Sequence, residues 1–151
     1  MKQSPEYDYI EKQMQPGVIT LDGFLGTDKR KLIEILIEDE GIVQRHDKTH
    51  AEIAQKMEYF RDKGLPGLGE FIHLDGTFDV RVDSVRGKLP SPFGGPGMYE
   101  KVNTTVVNKK LNREITFTDL HIHFIKDHGF YEGKGSPYRV EPVDLITILE
   151  I

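Results

Sequence analysis

The sequence predicts an α+β fold: a mostly antiparallel four-stranded sheet made of two hairpins, with two N-terminal helices and a short helix after the last central strand. Three observations predict this class. Apolar residues first recur at helical spacing, a turn dipeptide then separates two alternating stretches, and a later histidine-rich segment carries helix start and stop signals. We expect residues 1–151 to form a single domain, with residues 1–16 as a polar lead-in that can be flexible.

After the lead-in, residues 17–21 are expected to form a short strand. The first predicted helix then begins at Thr27, a good N-cap residue, with Asp28 at its first position. The apolar residues that repeat at helical spacing are Leu32, Ile33, Leu36 and Ile37. Three acids at residues 38–40 precede Gly41, an unfavourable charge for a helix C-terminus. We therefore expect that end to fray or to contact cations from elsewhere in the chain.

The second helix has a capping box, in which Thr49 and Glu52 satisfy each other's backbone N–H groups. Its apolar face consists of Ile53, Met57 and Phe60. Gly64 is expected to end the helix in a left-handed conformation, with Leu65 packing on Phe60.

From residue 70 the apolar period changes from helical to alternating. The dipeptide at residues 75–76, Asp-Gly, lies between two such stretches and predicts a hairpin. A proline- and glycine-rich loop at residues 89–97 then separates this hairpin from a second one. In the second hairpin, residues 99–107 are expected to pair with residues 113–118.

The tail from Tyr138 is rich in apolar residues and is expected to dock on the core. Pro142 suits the first position of a helix. A terminal strand remains the alternative, because residues 145–149 also resemble a buried strand.

The histidine-rich segment can be interpreted in two ways. As a strand, it would place His121 and His123 side by side on one face, as many metal sites require. As a helix over residues 119–128, it would have Thr118 as N-cap and Gly129 as a left-handed terminator. The end signals favour the helix.

On a helix the histidines do not converge. His121 and His128 would lie about 10 Å apart along the axis, too far to share one zinc ion. Ordinary structural roles, such as a cation at the helix C-terminus for His128, explain each histidine at least as well as a metal site. If a divalent metal ion binds here, other ligands must come from His73, His46 or a second subunit. The candidate metal ligands are Asp119, His121, His123, Asp127 and Glu132.

The following glycine-rich loop offers a different candidate site. Its backbone N–H groups and cations could hold a small anionic ligand. The spacing departs from that of a phosphate loop, because a helix precedes it and Gly135 separates the lysine from the serine. The candidate ligand-binding residues are Lys134, Ser136, Tyr138 and Arg139.

Composition excludes several classes of function. The net charge is −5 and charges of both signs are interspersed, so we expect no nucleic-acid partner. The chain has no cysteine, which removes disulfides, thiolate metal sites and cysteine nucleophiles. Neither a secretory leader nor an apolar stretch long enough for a bilayer is visible, so we expect a cytoplasmic protein without membrane contact.

The sequence contains no complete catalytic motif. The leading hypothesis is a non-enzymatic binding or regulatory module that associates with itself, with its site on the histidine helix and the loop after it. One alternative is a metal-assisted hydrolase that uses residues 119–128. Another is an anion or phosphometabolite site in residues 132–139.

Overall fold

The computed structural model describes residues 2–151, and in this part of the chain five helices accompany one four-stranded antiparallel sheet. The predicted α+β class is confirmed. The strands follow one another across the sheet in chain order. The elements are α1 (Pro5–Gln13), α2 (Leu32–Arg45), α3 (His50–Gly64), β1 (Ile72–Leu74), β2 (Phe78–Pro90), β3 (Met98–Asn108), β4 (Arg113–Thr118), α4 (Asp119–His128) and α5 (Pro142–Ile148).

Strands β2 and β3 form one long hairpin, which pairs from Phe78 with Asn108 to Pro90 with Met98. The proline- and glycine-rich segment therefore joins two paired strands instead of separating two hairpins, and β2 runs through the expected loop start at Leu89. A bulge between Val85 and Lys88 interrupts the register.

Strand β4 covers only part of β3, pairing with residues Asn103 to Asn108. Residues 84–90 and 98–102 therefore extend past β4 as a two-stranded ribbon, which we call the β2–β3 arm. The arm reaches over helix α4 and supplies one wall of the site described below.

The start of the second predicted helix is confirmed, with Thr49 and Glu52 forming the capping box of α3. The helix also ends at Gly64, but the left-handed conformation predicted for this glycine is wrong. Gly64 has a right-handed φ of −84°, and the chain continues into a short 3-10 turn. A β-carbon at Gly64 would lie 2.8 Å from Val80 and 2.7 Å from Val82, so this glycine permits close packing of helix on sheet.

The first predicted helix begins later than expected. Helix α2 has Lys31 as its N-cap, while Thr27 and Asp28 lie in the preceding loop. The expected strand at residues 17–21 is also wrong, because this segment forms turns and bends. Thr27 and Asp28 carry a local start signal, but the Asp28 carboxylate instead accepts hydrogen bonds from Arg30 and from the Lys134 N–H in the loop.

Helix α1 lies within the stretch that the sequence presents as a polar lead-in. Ser4 accepts a hydrogen bond from the Tyr7 N–H, and Pro5 occupies the first helical position. Ile10 and Met14 are buried against α2 and α4. At the other end of the chain, α5 begins at Pro142, so the helical alternative for the tail is confirmed.

Helix α4 contributes to two hydrophobic clusters within the described residues 2–151. Ile122 and Ile125 belong to the cluster formed with α3, the sheet and α5, while Leu120 and Phe124 belong to the cluster formed with α1 and α2. The helix is therefore packed on two sides, and the histidines lie between these contacts. Across residues 2–151, no helix is both long and apolar enough to cross a bilayer.

Candidate functional site

Helix α4 has the predicted bounds. Thr118 caps its N-terminus, and Gly129 ends it with a φ of +62°. Because the segment is a helix, His121 and His123 face different neighbours. Each imidazole is the centre of its own hydrogen-bond network.

The first network is buried, and we call it the carboxylate network: His121, Glu132 and Ser136. The Thr118 N–H donates to His121 Nδ1 at 3.0 Å, so Nδ1 carries no proton. Nε2–H therefore donates to Glu132 Oε2 at 2.5 Å. Ser136 Oγ donates to the other carboxylate oxygen at 2.8 Å. These bonds fix both the tautomer and the orientation of the ring.

Glu132 occupies an unusual backbone conformation for a glutamate. Its φ is +72° and the residue is only 3% exposed. Arg139 Nη1 donates to the Glu132 carbonyl at 2.6 Å and helps to hold this conformation. Left-handed backbone at a residue other than glycine costs about 1 kcal/mol or more and is concentrated at functional sites.

The loop that carries Glu132 is tied to the rest of the fold by ion pairs. Arg139 binds buried Asp39 at 2.8 Å, and Lys134 binds Glu38 at 3.1 Å. The Lys134 N–H also donates to Asp28 at 3.0 Å. The pKa of Asp28 is lowered to about 2, mainly because its carboxylate accepts a hydrogen bond from Arg30.

A cavity of about 460 Å³ lies next to the carboxylate network. His121 and Glu132 form part of its lining, together with Tyr138. The β2–β3 arm forms one wall, and residues 20–24 form another. Its apolar lining residues are Leu21, Phe24, Val85, Leu89 and Leu120.

The second network, which we call the serine network, consists of Ser91, His123 and Asp127. His123 Nδ1 lies 2.8 Å from Asp127 Oδ2, and His123 Nε2 lies 3.0 Å from Ser91 Oγ. A carboxylate only accepts hydrogen bonds, so Nδ1 carries the proton of the neutral ring and Nε2 accepts from the serine. Tyr99 stacks on this imidazole with ring centroids 4.4 Å apart, and its hydroxyl lies 2.9 Å from Nδ1.

His128, at the end of the same helix, stacks on Phe93 with a centroid distance of 3.8 Å and an interplanar angle of 6°. The pKa of His128 is lowered, mainly because the ring is partly buried and also because His123 is nearby. The stacked ring therefore favours its neutral form.

The predicted metal ligands are divided among separate environments. Asp119 lies 3.5 Å from Arg61, and burial is the largest cause that raises its pKa. His121 and Glu132 satisfy each other, while His123 pairs with Asp127. Among residues 2–151, no group of three or more histidines and acids has an arrangement suited to a metal ion.

The predicted anion-binding residues do not form a shared site either, because they have different partners. Lys134 and Arg139 are each paired with carboxylates, and Ser136 donates to Glu132. Tyr138 is exposed and lines the cavity. The geometry therefore favours the cavity over an anion site within the loop.

Sequence reasoning identified His121, Glu132 and Tyr138 but missed the rest of the cavity lining and the serine partner of His123. Ser91 lies in the proline- and glycine-rich segment, 32 positions before His123 in the chain. The length of β2 and its pairing with β3 bring it to α4, and no local pattern signals that pairing.

Comparison of the chain with protein families, with curated proteins and with solved structures finds no match.

Proposed function

We propose that this protein is a binding module whose cavity holds a small, mainly apolar molecule with a hydrogen-bond-donating head group. The observation that carries the proposal is the cavity whose lining includes a buried carboxylate held by His121 and Ser136. Pockets of about 300–1,000 Å³ with apolar walls and a few fixed polar groups are typical of small-molecule sites.

The polar lining supports a donor head group. A carboxylate offers about four acceptor positions, and His121 and Ser136 use two of those on Glu132. Asp22 and Glu100 add two further acids to the lining, against one cation at Lys101. An amine or a hydroxyl is therefore favoured over a carboxylate or a phosphate.

The apolar lining supports an aliphatic or aromatic body for the ligand. Leu21 is 85% exposed and Val85 is 56% exposed, although both line the cavity. A ligand that covers about 100 Å² of such surface gains about 2.5 kcal/mol from burial alone.

The test is a thermal-shift series with three probes of equal chain length: decylamine, decanol and decanoate, each used below its critical micelle concentration or, for the alcohol, below its solubility limit. The amine and the alcohol should raise the melting temperature, because a ligand selective for the folded state stabilises it. The decanoate should have little effect. Equal shifts from all three probes, or no shift from any, would refute the proposed head-group preference.

A matched pair of variants distinguishes the cavity from general surface binding. Val85→Trp places a large ring in the cavity wall and should abolish the shift. Leu68→Trp makes a similar change at a residue that is 91% exposed and outside the cavity lining, and should retain it.

We also propose that the chain associates with itself, as expected from its sequence. A native mass spectrum of the untreated protein measures subunit number and any retained molecule in one record. A dimer or larger species would support this part of the proposal, and a monomer at micromolar concentration would oppose it.

A further inference from the structure

We propose that Ser91, His123 and Asp127 act as nucleophile, general base and orienting acid in acyl transfer from small carboxylic esters. This inference is independent of the cavity ligand. It rests on the two distances in the serine network, 3.0 Å from Ser91 Oγ to His123 Nε2 and 2.8 Å from His123 Nδ1 to Asp127 Oδ2. Both lie within the reach that such a constellation requires.

The direction of each hydrogen bond suits this chemistry. Asp127 selects the tautomer in which Nδ1 carries the proton. The Phe93 N–H donates to Ser91 Oγ at 3.1 Å, which leaves the serine O–H free to donate to Nε2. The serine proton therefore points to the nitrogen that must receive it.

Neighbouring elements fix the position of each group. Ser91 directly follows strand β2, and its carbonyl accepts a hydrogen bond from the Gly94 N–H at 3.1 Å. His123 and Asp127 are one helical turn apart on α4, and stacking of Tyr99 holds the imidazole. The geometry is thus set before a substrate arrives.

The surroundings favour a small acyl group. Ser91 is 7% exposed, and the His123 side chain is 10% exposed, so a large substrate has little access. Gly94 and Gly95 follow the serine, and nothing lies within 4 Å of the position where either would carry a β-carbon.

The reaction is balanced without a cofactor. Ser91 Oγ forms a bond to the ester carbonyl carbon while its proton moves to His123 Nε2. The bond from that carbon to the alcohol oxygen then breaks, and His123 returns the proton to the leaving alcohol. A water molecule attacks the acylated serine, with His123 again as base, to release the carboxylic acid and restore Ser91.

The experiment is reaction of the full-length folded protein with a fluorophosphonate probe, followed by intact mass and peptide mapping, and hydrolysis of p-nitrophenyl acetate in parallel. We expect one adduct per chain, located on Ser91. His123→Gln should lower the labelling and hydrolysis rates at least 100-fold, as expected for loss of a general base.

Two serine variants complete the test. Ser91→Ala should eliminate labelling, whereas Ser84→Ala, at an exposed serine of β2, should retain it. Melting curves identify any variant that has lost its fold. If Ser91→Ala does not fold, His123→Gln serves as the test variant in its place. An unlabelled wild-type chain, an adduct on another residue, or a rate unchanged in His123→Gln would overturn the proposal.

Discussion

Two histidines only two positions apart on helix α4 have opposite tautomers and different surroundings. His121 accepts a backbone N–H at Nδ1 and donates from Nε2 to a buried carboxylate. His123 donates from Nδ1 to a carboxylate that is 52% exposed and accepts at Nε2 from a serine. Both nitrogens of the first ring are bound to groups that hold the fold together, whereas the unprotonated nitrogen of the second ring faces a serine hydroxyl.

The contrast shows that residue type and helical position do not determine the role of a histidine. The carboxylate network is assembled by the loop after α4, and the serine network by the hairpin connection before β3. The elements that each helix face meets therefore decide which nitrogen carries the proton. The same contrast predicts that the two networks contribute very differently to stability.

The largest expected effect is that of Glu132→Ala, which leaves the His121 N–H and the Ser136 O–H buried without an acceptor. We expect a loss of about 3 kcal/mol in the free energy of unfolding, since each unsatisfied buried donor costs about 1–3 kcal/mol. Urea denaturation measures this loss. A change under about 1 kcal/mol would mean that the carboxylate network does not hold the loop.

Ser136→Ala should have a smaller effect, about 1.5 kcal/mol, because it removes one charge-assisted hydrogen bond to Glu132 and leaves the other in place. The double variant with Glu132→Ala should lose less than the sum of the two single variants. Additive losses in this cycle would show that the two residues act separately.

Asp127→Ala should lower stability by only about 0.5 kcal/mol, because an exposed carboxylate gains little from its hydrogen bond. The same variant should slow fluorophosphonate labelling, since it removes the group that orients His123. A stability loss as large as that of Glu132→Ala would remove the distinction between the networks.

The smallest expected effect is a dependence on pH. Burial lowers the pKa of His128 below its ordinary value of 6.5, so the unfolded chain binds this proton more readily than the folded protein. The contribution of His128 to the free energy of unfolding is therefore fully present above pH 6.5. It is lost as the pH falls through the pKa of His128 in the folded protein.

His128→Phe keeps a ring beside Phe93 and removes the titration. The loss of unfolding free energy between pH 7.5 and pH 5 should therefore be smaller in this variant than in the wild type. His50, whose pKa burial also lowers, titrates equally in both proteins and cancels in the comparison. If the wild type and His128→Phe showed the same pH dependence, a group other than His128 would be responsible for it.

Elements with chemical signals at both ends were predictable from the sequence. Helix α4 has a capping threonine and a terminating glycine, and its bounds were confirmed. Gly64 carries the same apparent stop signal but has a different cause, because the glycine admits Val80 and Val82 of the sheet. A single sequence does not distinguish a glycine needed for its φ from one needed for its small size.

The candidate site was predictable only where its residues are close in the chain. His121, Glu132 and Tyr138 lie within one continuous stretch, and the sequence presents the first two as candidate metal ligands and the third as a candidate anion-binding residue. The positions of Ser91 and of the β2–β3 arm, which forms one wall of the cavity, depend on how far β2 and β3 pair beyond β4. Such register is a property of contacts between distant segments, and no local pattern encodes it.

The unequal coverage of β3 also divides its backbone amides into two groups. Residues 103–108 lie between two partner strands, whereas residues 98–102 pair with β2 alone. In deuterated solvent the first group should exchange at the rate of global unfolding, and the second through local opening of the arm. One strand would then report separately on the stability of the core and on the motion of the segment that leads to Ser91.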